Sequence, residues 1–153
     1  MRLYLCVLLL CCACAPKTWI VEGCAVSTRP TYNGTAISAS ALEAAAISLG
    51  DYRTVLFNHE ESRPVGKILS LTFKDDKLWV KIAITDPWVW DCIRSGILTG
   101  FSIRWFALDQ ELEWFDELND GGILFTAIVI MEVSIVSVPA NPDCRITRWY
   151  TER

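Results

Sequence analysis

Only one histidine occurs among the 153 residues, His59. Chemistry that needs an imidazole base therefore has a single candidate. Cysteine is present but in no useful order. Four of the seven lie in the first sixteen residues, and Cys24, Cys92 and Cys144 are an odd number set far apart. That is neither a disulfide framework nor a zinc-type ligand pattern, so the body reads as reduced and intracellular. No basic stripe occurs and the net charge is −4, which argues against nucleic-acid binding as the main task. There is no Gly-x-Ser-x-Gly elbow, which excludes the α/β-hydrolase plan. Strand order and the residues around the serines exclude a trypsin-like one. Repeats and low-complexity tracts are missing too, which leaves no case for a second domain.

What is present suits one packed domain. Hydrophobic residues make up 52% of the chain and tryptophan occurs seven times, enough apolar material to exclude disorder. Residues 1–16 stand apart. Arg2 precedes an apolar run from Leu3 to Ala15 with an Ala13-x-Ala15 ending, which imitates a secretory signal but is short for a membrane span. Pro16 directly after the cleavage position is unfavourable to processing. The domain is therefore expected over 17–153, in the cytoplasm, with export or anchoring by the leader as the minor reading.

Thr18 to Val26 reads as a first strand, and Asn33-Gly34 as a turn. Ser40 and Glu43 have capping-box spacing, predicting an Ala-rich helix that stops at Gly50. Thr54–Phe57 is a short strand leading into His59. Two apolar segments, 64–73 and 78–84, flank Lys74-Asp75-Asp76-Lys77 as a hairpin. Asp86 with Pro87 opens a second helix, and Gly96 ends it. A strand carrying Ser102 is expected over 97–108. The acidic stretch from Asp109 to Asp120 reads as a solvated loop or hairpin tip. Residues 123–130 and 132–138 form the last strands, or one strand with a bend, and Pro139 and Pro142 end the ladder. About seven strands and two helices predict an α+β, mainly β fold: an antiparallel barrel-like core with peripheral helices.

A serine hydroxyl needs a base to take its proton, and the base needs a third group to fix its tautomer. His59 lies at a strand end, where catalytic groups often sit, although a lone surface histidine reads the same way locally. Ser102 lies in Leu98-Thr99-Gly100-Phe101-Ser102-Ile103-Arg104, sharing a strand face with Arg104 and Phe106 and opposite Phe101, Ile103 and Trp105. Glu132 opens an apolar run on a face with Ser134 and Val136. A carboxylate there needs either the sheet's edge or a partner. Ser134 and Ser137 are rival serines, ranked below Ser102 because they lie near the proline-marked strand end with no glycine to open the backbone.

Taken together and in order, these segments resemble the prohead (capsid maturation) serine proteases of tailed bacteriophages. Phe57-Asn58-His59-Glu60 followed by Pro64-Val65-Gly66-Lys67 is similar to that family's histidine motif. Ser95-Gly96-Ile97-Leu98-Thr99-Gly100-Phe101-Ser102-Ile103 is similar to its serine motif. Met131 to Pro142 is similar to its Glu-Val-Ser-apolar-Val-x-x-Pro-Ala-Asn-Pro signature, and Val21 to Ala25 to its opening strand. The resemblance implies an assemblin-like fold and a serine endopeptidase acting through an acyl-enzyme, with no cofactor and no metal. Its implied partners are the phage major capsid protein, the scaffold and itself, through autoprocessing and a homodimer, inside the assembling prohead. By the same resemblance Ser102 is the nucleophile, His59 the base and Glu132 the third member. Two residues depart from the family pattern. Glu60 replaces an aspartate, and Arg104 stands where glycine is common, which makes it either an obstruction or an oxyanion stabiliser. The rival function is an inactive capsid-assembly protein of the same fold that binds scaffold.

Overall fold

A computed structural model of the chain describes residues 17–49, 53–116 and 120–153. The apolar leader, the expected helix stop at Gly50, and Glu117 and Asn119 of the acidic stretch lie outside these residues. Eight strands and two helices follow in the order β1 (Thr18–Ser27), β2 (Thr35–Ile37), α1 (Ala39–Ser48), β3 (Thr54–Phe57), β4 (Glu60–Lys74), β5 (Lys77–Ile84), α2 (Pro87–Arg94), β6 (Gly100–Phe115), β7 (Asp120–Val136) and β8 (Ile146–Glu152). The mainly β reading with two helices holds. No helix among the described residues is long and apolar enough to cross a membrane.

All strands join one sheet of order β2-β7-β3-β4-β5-β1-β8, with β6 paired to β7. β7 carries β6 antiparallel along one edge, and β2 and β3 parallel along the other. Among the described residues the sheet does not close, so the barrel-like part of the expectation is not met. On its second edge β6 makes one bridge, Gly100 to Arg145, and among the described residues no strand pairs with the rest of that edge. The core is filled from β1, β4, β5, β6 and β7, with Ile20, Val21, Val65, Ile68, Leu78, Ile82, Phe101, Val133 and Ile135 all but fully buried.

Local chemistry accounts for most boundaries. Asp75 and Asp76 adopt φ of 52° and 57°, the left-handed pair that a two-residue hairpin requires. Asp86 accepts hydrogen bonds from Trp88 N–H (2.8 Å) and Val89 N–H (3.1 Å), and Pro87 starts α2. Gly96, at φ 74°, lets the chain leave that helix. Trp90 of α2 stacks on Trp19 at 5.6 Å between ring centroids, docking the helix on β1.

Several boundaries differ from expectation. The cap of α1 is Ser38, whose hydroxyl accepts from Ala41 N–H, while Ser40 lies within the first turn. Ser38 has the extended backbone of a residue leaving β2, which is what an N-cap needs. The serine strand runs on to Phe115, through the acidic residues, instead of ending at Leu108. Pairing with β7 satisfies the backbone there, the acidic side chains project into solvent, and Phe115 is buried at the far end. Of the two readings for 123–138, the single strand holds, as β7. A further strand, β8, follows the prolines.

Candidate active site

His59 is half of a two-residue turn. Asn58 (φ 49°) and His59 (φ 63°) connect β3 to β4 in the left-handed region, where asparagine and histidine are among the more tolerant residues. The pair closes the β3–β4 hairpin, where Phe57 pairs with Glu60 and a two-residue loop takes this left-handed geometry, and three further hydrogen bonds fix it in place. Asn58 N–H donates to Ile135 C=O (3.1 Å), His59 N–H donates to Ser134 Oγ (3.0 Å), and Arg104 Nη2 donates to His59 C=O (2.6 Å).

The side chain of His59 meets Glu132, with 2.5 Å from Nδ1 to Oε1. Glu132 is 8% exposed and is the one buried carboxylate among the described residues. Ser134 also donates to it, at 3.0 Å from Oε2 and 3.3 Å from Oε1. An ionised carboxylate only accepts, so Nδ1 must carry the proton. A neutral imidazole then keeps its lone pair on Nε2, the nitrogen free to act as a base.

Strand register brings Ser102 to the same face. Ser102 lies opposite Ser134 and Arg104 opposite Glu132 across the β6–β7 ladder, while Leu56 of β3 lies beside Ser134 on the other edge. Directly paired residues project to one side with Cβ atoms about 5 Å apart. Ser102 is half-buried, and its hydroxyl has no hydrogen-bond partner among the described residues. Ser134, in contrast, is fully buried and committed to Glu132 and the His59 amide. All three described cysteines are buried. Cys144 has its thiol pushed up by its hydrogen bond with Cys24 and by burial, so it stays protonated and is no rival nucleophile.

The segment after β7 braces the start of β6. Phe101 N–H donates to Cys144 C=O (3.1 Å) and Ile146 N–H to Thr99 C=O (3.0 Å). Gly100 permits this approach, because a Cβ there would lie 2.2 Å from the Cys144 carbonyl oxygen and 2.9 Å from Pro139 Cγ. Asn141 ties the segment to the end of β1, donating to Arg29 C=O (2.8 Å) and accepting from Asp143 N–H (2.9 Å). A cleft of about 70 Å³ is lined by Ser102, Phe101, Ser27, Thr35 and Asn141. A more open groove of about 380 Å³ is lined by Glu132, Arg104, Glu61, Leu56 and Met131.

Among the residues singled out in the sequence, His59 and Glu132 are in contact, Ser102 lies one strand away on their face, and Arg104 grips the His59 carbonyl and Glu61 (2.9 Å). The sequence offers Ser134 only as a rival nucleophile, and its part in holding Glu132 and His59 shows only in the structure. Its i, i+2 spacing from Glu132 was the available signal.

Residues 25–152 match the family model described as caudovirus prohead serine protease. A prohead protease of Escherichia phage T5 is 37% identical over 92 residues, which cover 58% of this chain and 42% of that one. The chain thus spans less than half the length of that relative. The KSHV protease, solved in complex with a hexapeptide phosphonate inhibitor, is 14% identical, with 89% of this chain and 65% of that one covered and a TM-score of 0.49. With the family model matched from the first strand to the last, the chain belongs to the caudovirus prohead serine proteases.

Proposed function

We propose that the chain is a serine endopeptidase of phage capsid maturation. Ser102 Oγ attacks the scissile carbonyl, and His59 Nε2 takes the hydroxyl proton. The resulting tetrahedral oxyanion collapses to an acyl-enzyme as His59 returns the proton to the leaving amine. Water, activated by the same base, then releases the acyl group. Glu132 holds Nδ1–H and stabilises the imidazolium of both steps. The observation that carries this reading is the contact between the only histidine and the only buried carboxylate among the described residues, one strand from an uncommitted serine. The charge of Arg104, two residues along the same face from Ser102, also suits an oxyanion role, through the donors its two contacts leave free.

Substrates in this reading are the coat protein and scaffold of the assembling prohead, together with the protease's own chain. No cofactor takes part. The test is co-expression of this chain, or of Ser102→Ala, with the coat and scaffold proteins encoded beside it, read by intact mass. Cleavage that disappears in Ser102→Ala is expected. Equal cleavage by both would remove Ser102 from its role. No cleavage by either, with folded protein present in particles, would favour an inactive assembly protein.

A further inference from the structure

Arg104 lies directly opposite Glu132 in the β6–β7 ladder. Opposite charges so placed on one sheet face ordinarily pair across the strands. Here they do not. Among the described residues the guanidinium makes its ion pair with Glu61, through Nη1 at 2.9 Å, and its Nη2 donates to His59 C=O at 2.6 Å. Glu132 is left with both oxygens for His59 and Ser134.

We propose that Arg104 is a positioning residue for His59. It fixes the left-handed Asn58-His59 turn by its carbonyl while Ser134 fixes it by its amide, and it stays off the carboxylate that sets the tautomer. The imidazole direction depends on where that peptide sits: the turn, with φ of 49° and 63°, closes the β3–β4 hairpin beyond its last pair, Phe57 with Glu60, and the His59 carbonyl outside that ladder is held by Arg104. The guanidinium fork suits this task, since it reaches a backbone carbonyl and an outlying carboxylate at once from a rigid plane. A lysine ammonium has no such fork. Glu61 is 83% exposed on its side chain, so its ion pair is worth little by itself and serves to draw the guanidinium away from Glu132.

The inference rests on His59 being the base, and its test separates the two. Because the chain has one histidine, the full-length protein labelled with ¹⁵N-histidine gives one set of imidazole signals. Tautomer and the Nδ1–H···carboxylate proton are read in the free protein, and reactivity of Ser102 is read separately with a fluorophosphonate probe. In Arg104→Gln the Nδ1–H tautomer is expected to lose its dominance, its downfield proton to broaden or vanish, and labelling to slow about 100-fold, the scale of a small misplacement of a reacting group. Arg104→Lys keeps the charge but not the fork and should show the same change in weaker form, which keeps the test open should Arg104→Gln not fold. An unaltered imidazole spectrum in whichever variants fold overturns the proposal. If labelling nevertheless falls, the residue acts on the oxyanion alone. Absence of probe labelling in the parent protein would instead count against the protease reading and leave the imidazole result standing.

Discussion

Ser134→Ala should chiefly cost stability and Ser102→Ala chiefly reactivity. Ser134 is fully buried, accepts the His59 amide at 3.0 Å and donates to Glu132 at 3.0 Å. Alanine there leaves a backbone N–H without its acceptor and a buried carboxylate short of a donor. Each such loss is worth about 1–3 kcal/mol, and the two share one hydroxyl, so a cost of about 2–4 kcal/mol is expected. In a domain of this size that lowers Tm by roughly 5–15 °C. Ser102 is half-buried and unpartnered, so its removal should change stability by no more than about 0.5 kcal/mol.

Reactivity should run the other way. Ser102→Ala removes the proposed nucleophile and abolishes fluorophosphonate labelling. Ser134→Ala only loosens the His59–Glu132 pair. If about 1–2 kcal/mol of its cost reaches the barrier, labelling slows about 5- to 30-fold and persists. Urea melts and labelling rates on the two variants suffice. A labelled Ser102→Ala beside an unlabelled but folded Ser134→Ala would refute the assignment and make Ser134 the nucleophile. Equal stability losses would refute the account of what each hydroxyl holds.

Two further expectations concern the brace beside Ser102. Gly100→Ala would place a methyl 2.2 Å from the Cys144 carbonyl oxygen, a backbone clash that only movement relieves. A destabilisation of about 1–3 kcal/mol or more is expected, with slower Ser102 labelling. Unchanged melting would mean that the 139–146 segment does not pack on β6 as described. For Asp143, burial acts to raise the carboxyl's pKa, but hydrogen bonds from Lys77 (3.1 Å) and Arg29 (3.3 Å) outweigh it and hold the value below the usual range. A depressed folded pKa means stabilisation present above the unfolded value of about 4 and lost as pH falls through the folded one. Urea midpoints of the parent should therefore exceed those of Asp143→Asn near neutrality and converge with them in acid. A gap independent of pH would show that the carboxylate's charge is not what matters.

Legibility from sequence followed the range of the interactions. The Asp75-Asp76 turn, the Asp86-Pro87 helix start and the Gly96 stop each depend on a few neighbouring residues, and all three stand where the sequence puts them. The α1 cap was misread by two positions because Ser38 and Ser40 both suit a cap. What decides between them is where β2 leaves the sheet, a pairing with β7 close to ninety residues away. The β6–β7 hairpin was cut short for a related reason. Its acidic residues look like loop in isolation, and only the partner strand makes them a ladder.

The site divides along the same line. Residue types and motif order pointed to His59, Ser102 and Glu132, but nothing local distinguishes a serine that is free from one already spoken for. Ser102 and Ser134 are both strand serines flanked by apolar residues, and they differ only in what the fold brings to them. The β3–β4 turn delivers an amide to Ser134 and none to Ser102. A nucleophile's hydroxyl has to be left to its base, whereas the hydroxyl of Ser134 is spent on the His59 amide and the Glu132 carboxylate. Hydrogen-bond accounting in three dimensions therefore carries information about role that neither residue identity nor spacing contains.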